Sequence, residues 1–128
     1  LYERRDIMRK RSMDSKELVR SVKAAADLNR LRILNMLSVR DMCVCELSEV
    51  LGIAQPSVSR HLKKLARGGF IDSRQDGRWT DYYLRPANSF AEQFLDGLEE
   101  TLAGDETAGR DLEKMKTARR ESICGIEE

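Results

Sequence analysis

Two short stretches of helical pattern, at 44–51 and about 56–67, are separated by only four residues and constrain the fold more than any other feature. The first ends at Gly52, a residue that accepts the left-handed backbone of a helix C-terminus without steric cost. The second has Pro56 at its first helical position, where the missing N–H of proline is not needed. Two short helices joined by such a tight turn predict a helix-turn-helix.

The second of these helices has two contrasting faces. Val58, Leu62 and Leu65 recur at helical spacing and predict the face that packs inward. The opposite face carries hydrogen-bond donors and positive charge, which suit base edges and phosphates, although a plainly solvated face has the same composition. The candidate DNA contacts are the polar and basic residues of this helix: Gln55, Ser57, Ser59, Arg60, His61 and Lys64.

Two β-rich runs, 70–75 and 78–84, follow this helix and are separated by Asp76-Gly77. That dipeptide is typical of a two-residue type I′ hairpin turn. A hairpin directly after a DNA-reading helix is a wing, and its candidate contacts to the DNA backbone or minor groove are Arg74 and Arg78. The sequence therefore predicts a mainly α fold with a small β-hairpin, a winged helix-turn-helix.

Further helical patterns flank this motif. One begins with a capping residue at Asp14 or Ser15, a second follows a break near Asp27, and a last long helix is predicted from Pro86. The last helix carries an apolar stripe at four-residue spacing: Phe90, Phe94, Leu98 and Leu102. A domain of this size does not obviously cover that stripe, so we predict a two-fold homodimer built from the first and last long helices.

The length of 128 residues fits one domain, which we predict at 14–102. Residues 1–13 form either a basic N-terminal arm or a segment that is not native, and the natural start stays open. Residues 103–128 are predicted as a charged C-terminal tail, with a loop at 104–110 and a charged helix or mobile segment from 111 to 120.

Charge is distributed unevenly along the chain. Residues 55–85 carry seven Lys/Arg against three Asp/Glu, whereas residues 86–128 carry five against eleven. A basic middle with an acidic end suits a face that binds a polyanion, such as double-stranded DNA. No apolar run approaches the ~20 residues of a membrane span and no export signal is present, so we expect no membrane partner and a cytoplasmic location.

Three cysteines, two of them at the start of the helix-turn-helix, are the candidate metal ligands: Cys43, Cys45 and Cys124. Without an export signal they are expected to be reduced thiols. Thiolates select soft ions, and three of them without a fourth ligand disfavour a closed tetrahedral zinc site. The count fits As(III) or Sb(III), which take three sulfurs in a trigonal pyramid.

The spacing of Cys43 and Cys45 sets a geometric condition. In a regular helix two residues at this spacing point about 200° apart, because each residue turns the chain by about 100°. Both thiols bind one ion only if one of them lies outside regular helix or the first turn unwinds. A helix N-terminus is also expected to lower the pKa of these thiols.

The sequence resembles the ArsR/SmtB metal- and metalloid-responsive repressors over roughly residues 15–102. The resemblance implies a homodimer that represses a resistance operon and leaves its operator when metal binds, and Cys-Val-Cys implies the arsenic-, antimony-, cadmium- and lead-sensing branches. A single histidine excludes the zinc-sensing site of the last helix, and the N-terminal arm lacks the cysteines of the cadmium/lead branch. The segments that carry it are Leu28-Asn29-Arg30-Leu31-Arg32-Ile33-Leu34, Cys43-Val44-Cys45-Glu46-Leu47, Gln55-Pro56-Ser57-Val58-Ser59-Arg60-His61-Leu62, and Gly77-Arg78-Trp79 with Tyr82-Tyr83.

Alternatives to an As(III)- or Sb(III)-released repressor stay open at this point. A thiol redox sensor on the same fold uses Cys43 or Cys45 paired with Cys124, and a Cd(II) or Pb(II) sensor uses the same thiols. A constitutive DNA-binding protein responds to none of these agents. An enzyme is not expected, because the chain has no Ser/His/Asp set and no phosphate-binding glycine loop.

Overall fold

The computed structural model describes residues 13–123. The predicted arm before Met13 and the candidate ligand Cys124 lie outside the described residues. In chain order the elements are α1 Ser15–Ala25, α2 Leu28–Leu37, β1 Met42–Cys43, α3 Val44–Leu51, α4 Gln55–Arg67, β2 Ile71–Asp76, β3 Trp79–Leu84, α5 Ser89–Thr101, α6 Glu106–Met115 and α7 Arg120–Ile123.

Side-chain caps explain where most helices begin. The Asp14 carboxylate accepts from the Glu17 N–H at 2.8 Å, which confirms the predicted start of α1. The Asn88 side chain caps α5, so this helix begins at Ser89 and the prediction of Pro86 as its start was wrong. Pro86 instead lies in the connection between β3 and this cap.

The segment 104–110, predicted as a loop, is helical from Glu106 because Asp105 caps α6. The carboxylate of Asp111 is almost fully buried and accepts two hydrogen bonds of 2.9 Å from the guanidinium of Arg32. This paired contact joins α6 to α2.

The sheet has three antiparallel strands in the order β1-β3-β2, one more than the predicted hairpin. The additional strand β1 pairs Met42 with Tyr82 and Cys43 with Asp81. The hairpin loop is Gly77-Arg78 rather than Asp76-Gly77, since Asp76 pairs with Trp79. Among the described residues no non-glycine residue has positive φ, whereas Gly77 has φ of 62°. A type I′ turn needs positive φ at both loop residues and is therefore excluded, while glycine first with a negative φ after it is the sign pattern of type II′.

The core lies beneath α3 and α4. The predicted inward face of α4 is confirmed, since Val58, Leu62 and Leu65 are buried and pack with α2 residues such as Ile33 and Leu34. Gly52 ends α3 with φ of 72°, as the sequence predicts. The architecture is the predicted one, mainly helical with a small sheet behind a helix-turn-helix. Within residues 13–123 no helix is long and apolar enough to cross a membrane.

Candidate functional site

The sulfur atoms of Cys43 and Cys45 converge on one point. Cys43 precedes α3 with an extended backbone, φ −97° and ψ 172°, and Cys45 lies in the first helical turn. Their Sγ atoms are 3.2 Å apart and both residues are buried. The first of the two conditions set by the spacing is met, because Cys43 lies outside the helix while the first turn stays wound.

Glu46 fixes the backbone around this pair. Its carboxylate is buried and accepts from the Cys43 N–H at 3.0 Å. The other carboxylate oxygen accepts from the Arg40 guanidinium at 3.3 Å and from the Arg120 N–H at 2.9 Å. One side chain therefore links the thiol segment to the start of α7, the last described helix.

The environment of Cys43 changes the expected acidity of its thiol. Burial raises the pKa of Cys43 above its usual value, and the negative charge of Glu46 raises it further. Hydrogen bonds from the backbone N–H groups of Cys45 and Glu46 act in the opposite direction but do not outweigh this. The expectation of a lowered pKa from helix position alone was wrong for Cys43, because burial and a neighbouring carboxylate dominate.

A cavity of about 330 Å³ opens beside the two thiols. It joins the start of α3, the first residue of α4 and the wing formed by β2 and β3. Two of its lining residues, Gln55 and Arg78, are also predicted DNA contacts. The lining is Cys43, Val44, Cys45, Gln55, Arg78, Trp79, Thr80 and Tyr82. The sequence did not indicate the aromatic wall, because it depends on the pairing of β1 with β3.

Most predicted contacts on α4 are accessible. Gln55, Ser59, Arg60 and Lys64 are exposed and Ser57 is half-buried. The Arg60 guanidinium donates to the Ser57 hydroxyl at 3.0 Å, so these two side chains are already aligned on the outer face.

His61 is held differently from its neighbours on this face. It is half-buried, and its Nδ1 accepts from the Arg30 guanidinium at 3.1 Å. Burial lowers the pKa of His61, and the cations Arg30, Lys64 and Arg60 lower it further against the opposing effect of Asp27. The ring is therefore neutral at pH 7, and its remaining N–H, on Nε2, is the donor available for an external partner.

The wing presents its two predicted contacts on the surface. Arg74 is exposed, forms an ion pair with Asp41 and lies with its guanidinium carbon 5.0 Å from the centre of the Tyr83 ring. Arg78 is exposed at the hairpin tip, 4.7 Å from the centre of the Trp79 ring. The Trp79 ring therefore packs against the Arg78 side chain.

Arg120 was not indicated by the sequence and ties α7 to the wing. Its guanidinium donates to Asp81 at 2.7 Å and to Asp76, and it also covers the Trp79 ring at 4.4 Å. α7 ends at Ile123, which packs against the core directly before Cys124 in the sequence. Among residues 13–123 no three potential metal ligands cluster, and Cys43 with Cys45 supplies two.

Comparison with known proteins places the helix-turn-helix in a family. Residues 27–73 match the model of the bacterial regulatory proteins of the arsR family. The arsenical resistance operon repressor of Staphylococcus aureus is 37% identical over 75 residues, which are 59% of this chain and 72% of that protein. The cadmium resistance transcriptional regulatory protein CadC of Listeria innocua is 33% identical over 64 residues, 49% of this chain and 54% of that protein.

The fold is also found in solved structures. A homodimeric winged helix-turn-helix DNA-binding domain from Mycobacterium bovis, described as a possible ArsR-family transcriptional regulator, matches with a TM-score of 0.58 at 22% identity. The match covers 83% of this chain and 90% of that domain. At this identity the likeness shows the fold, and it confirms the winged helix-turn-helix.

Proposed function

Because the chain belongs to the arsR family of bacterial regulatory proteins, we propose that it binds operator DNA as a homodimer and is released by As(III) or Sb(III) bound to cysteine thiolates. The chain is a DNA-binding transcriptional repressor of this family and not an enzyme, and arsenical and cadmium resistance regulators are among its relatives. The inducer, the operator and the release are proposed.

One observation supports this proposal above the others. The cavity beside Cys43 and Cys45 is also lined by Gln55, the first residue of α4, and by Arg78 at the tip of the wing. A ligand on the thiols therefore touches the two elements that a winged helix-turn-helix uses to read DNA. The effector site and the DNA-binding surface share side chains rather than communicating over a distance.

The donor set fits a soft ion of this class. Two sulfurs 3.2 Å apart lie within the reach of one ion, since two metal–sulfur bonds of about 2.3 Å span up to about 4.6 Å. Thiolates favour As(III), Sb(III), Cd(II) or Pb(II) over harder ions, and the third ligand that we propose is Cys124. A bound ion would hold the two sulfurs at a fixed separation.

The chain transmits a change at Cys43 through its own backbone. Cys43 pairs with Asp81 of β3, and Asp81 accepts from Arg120, so a shift of β1 reaches the wing and α7 together. Strain between the two thiols is not required, because their sulfurs already converge. A coupling of about 1–3 kcal/mol between ion and DNA is typical of allosteric proteins.

The homodimer is proposed from an apolar groove between α1 and α5. The groove is lined mainly by Met13, Leu18, Phe90 and Phe94, and Leu18 remains 39% exposed in the single chain. The rings of Phe90 and Phe94 pack on the core residue Phe70, which ties this side of the groove to the core. A second copy of the chain covers this groove, as two-fold dimers bury the same surface of each copy.

A direct experiment selects a DNA duplex from a random pool and follows its release by fluorescence anisotropy. Under reducing conditions, arsenite is expected to release the duplex and leave the Cys43→Ser protein bound. Release by peroxide but not by arsenite would favour the redox sensor, and release by neither agent a constitutive DNA-binding protein. Release by cadmium at concentrations lower than those needed for arsenite would favour the cadmium alternative.

The dimer is tested by sedimentation. Phe94→Asp should convert the dimer to a monomer, whereas a wild-type monomer at micromolar concentration would contradict the dimer.

A further inference from the structure

A second cavity, of about 380 Å³, lies at the other end of α4 and has an unbalanced charge. Among the described residues its wall holds five basic side chains and one alanine, from α1, α2 and α4, and no carboxylate. These residues are Arg20, Lys23, Ala24, Arg30, Lys64 and Arg67. We call them the basic cavity.

Arg30 forms the floor of the basic cavity and is itself held in place. It is only 9% exposed and donates to the Ala24 carbonyl at 2.6 Å and to the His61 ring at 3.1 Å. Asp27, whose carboxylate is 3.9 Å from its guanidinium, only partly offsets this charge. A buried cation with so little carboxylate compensation favours an anion at the mouth of the cavity.

The four remaining cations are exposed on the rim. Within residues 13–123, Arg20, Lys23, Lys64 and Arg67 form no ion pair. The positive charges of these four side chains repel one another and that of Arg30. If the cations served only to stabilise the fold, we would expect carboxylates between them. Long cationic side chains without such partners are free to turn toward an external anion.

The basic cavity continues the proposed DNA-reading face. Arg60, Lys64 and Arg67 recur at i, i+4 and i+7 along α4, so one stripe runs from the predicted base contacts into the cavity. When α4 lies in the major groove, the flanking backbone of the duplex passes its ends, and the phosphates there are the nearest polyanion.

We propose that the basic cavity binds DNA backbone phosphate, with Lys23 and Arg20 of α1 and Arg67 of α4 as contacts that extend the interface beyond the helix-turn-helix and wing. This rests on the proposed operator binding and assigns α1 a second role beside the dimer groove. The contacts position the protein on the duplex and carry no sequence information of their own.

The test compares the double variant Lys23→Gln/Arg67→Gln with the charge-matched control Arg110→Gln/Lys114→Gln on α6. Operator and random-sequence duplexes are titrated between low and physiological salt. We expect the first variant to lose affinity for both duplexes about equally. Its slope of log K against log salt should fall by about 0.9 for each phosphate that the variant no longer neutralises, while the control keeps the wild-type slope. Equal slopes for the two variants, with unchanged thermal melting, would overturn the proposal.

Two further arms separate the possible outcomes. Inorganic phosphate alone is titrated into the protein by NMR. Saturation at low millimolar phosphate that disappears in Lys23→Gln/Arg67→Gln, together with an unchanged DNA salt slope, overturns the proposal in favour of a small-anion site. Arg60→Ala is measured on the same duplexes. If Arg60→Ala weakens operator binding while the basic-cavity variant does not, the inference fails and the proposed function stands. If the wild type binds no duplex, both fail.

Discussion

The two ends of α4 meet cavities of opposite chemistry. At its start, Gln55 faces thiols and aromatic rings, and within residues 13–123 Arg78 is the single cation in the wall. At its other end, Lys64 and Arg67 face three more cations and no acid from the described part of the chain. We propose a division of labour between the two cavities: the one at the first residue of α4 holds the soft ion, and the one at its last turns adds affinity for the duplex.

A third charged region, beside α7, shows what a structural ion cluster looks like in the same chain. There Arg40, Arg119 and Arg120 stand among four carboxylates, those of Asp41, Glu46, Asp81 and Glu121. Arg120 in particular meets carboxylates at short distance. Cations in this structural cluster therefore lie beside carboxylates, whereas the wall of the basic cavity has no carboxylate among the described residues.

The largest effect is expected at the sensing end. Cys43→Ser and Cys45→Ser should leave operator affinity unchanged and abolish release by arsenite, because DNA binding needs the helix and not the sulfurs. Anisotropy titrations with and without arsenite measure this directly. If a serine variant is still released from DNA at the wild-type arsenite concentration, the substituted thiol is not needed to sense arsenite.

The next effect concerns the reading face between the two ends. Arg60→Ala should weaken operator binding by about 1–3 kcal/mol, the range of a good base contact, and relax discrimination against mutated operators. Arg78→Ala on the wing should instead weaken binding to all sequences and flatten the salt dependence. If both variants bind like wild type, the docking of α4 and the wing assumed here is wrong.

A smaller effect is expected from the clamp between α7 and the wing. Arg120→Gln removes three ion pairs and the cation above the Trp79 ring, so the free energy of unfolding should fall by about 1 kcal/mol. Its neighbour in sequence gives the matched control Arg119→Gln, which should leave the free energy of unfolding unchanged in urea titrations. Equal values for the two variants would mean that the ion cluster beside α7 is only solvated charge.

Cys124→Ser tests how much of the response depends on the C-terminal segment. Two convergent thiolates still capture the ion, and water or a small thiol takes the third position, so release should persist at higher arsenite. In the absence of small thiols, the number of sulfur ligands of arsenic, measured by X-ray absorption, should fall from three to two. A variant that is not released at all would make the tail part of the switch, and a variant identical to wild type would exclude Cys124 as a ligand.

The smallest expected effect is the pH dependence of His61, which faces Arg30, Arg60, Lys64 and Asp27. Its pKa is lowered in the folded state, so the unfolded chain binds the proton more readily. The stability that the neutral ring contributes is complete above the unfolded value of about 6.5 and is lost as the pH falls below it. Between pH 7.5 and 5.5 the wild type should lose more stability in urea than His61→Gln, and equal losses would contradict the neutral ring.

The sequence predicted the elements that depend on local pattern and missed those that depend on long-range pairing. Gly52, Pro56 and the apolar stripe of α4 gave α3 and α4 nearly to the residue, because caps and periodicity act within a few positions. β1 has only two residues and is defined by its pairing with β3, so no local sequence pattern predicts it.

The same limit applied to the site. That Cys43 and Cys45 belong together followed from their spacing, and that one must leave the helix followed from geometry. That they share a cavity with Gln55 and Arg78 depends on the register of β1 against β3. The role of Arg120 depends on a contact with Asp81, 39 residues away in sequence. The direction of the pKa shift of Cys43 could not be predicted, because it depends on burial and on the position of Glu46. The sequence shows Glu46 only as an acidic residue three positions later.

The coupling between the thiol cavity and the DNA-reading surface is tested most directly by its reciprocity. If an ion weakens DNA binding by a given factor, DNA must weaken ion binding by the same factor. The measurement is the arsenite affinity of the protein alone and of the protein saturated with operator duplex, by competition with a thiol chelator under reducing conditions. We predict weaker arsenite binding in the DNA complex, by about 5- to 150-fold, equal to the loss of operator affinity. Equal arsenite affinities in the two states would contradict a cavity shared by sensor and DNA reader.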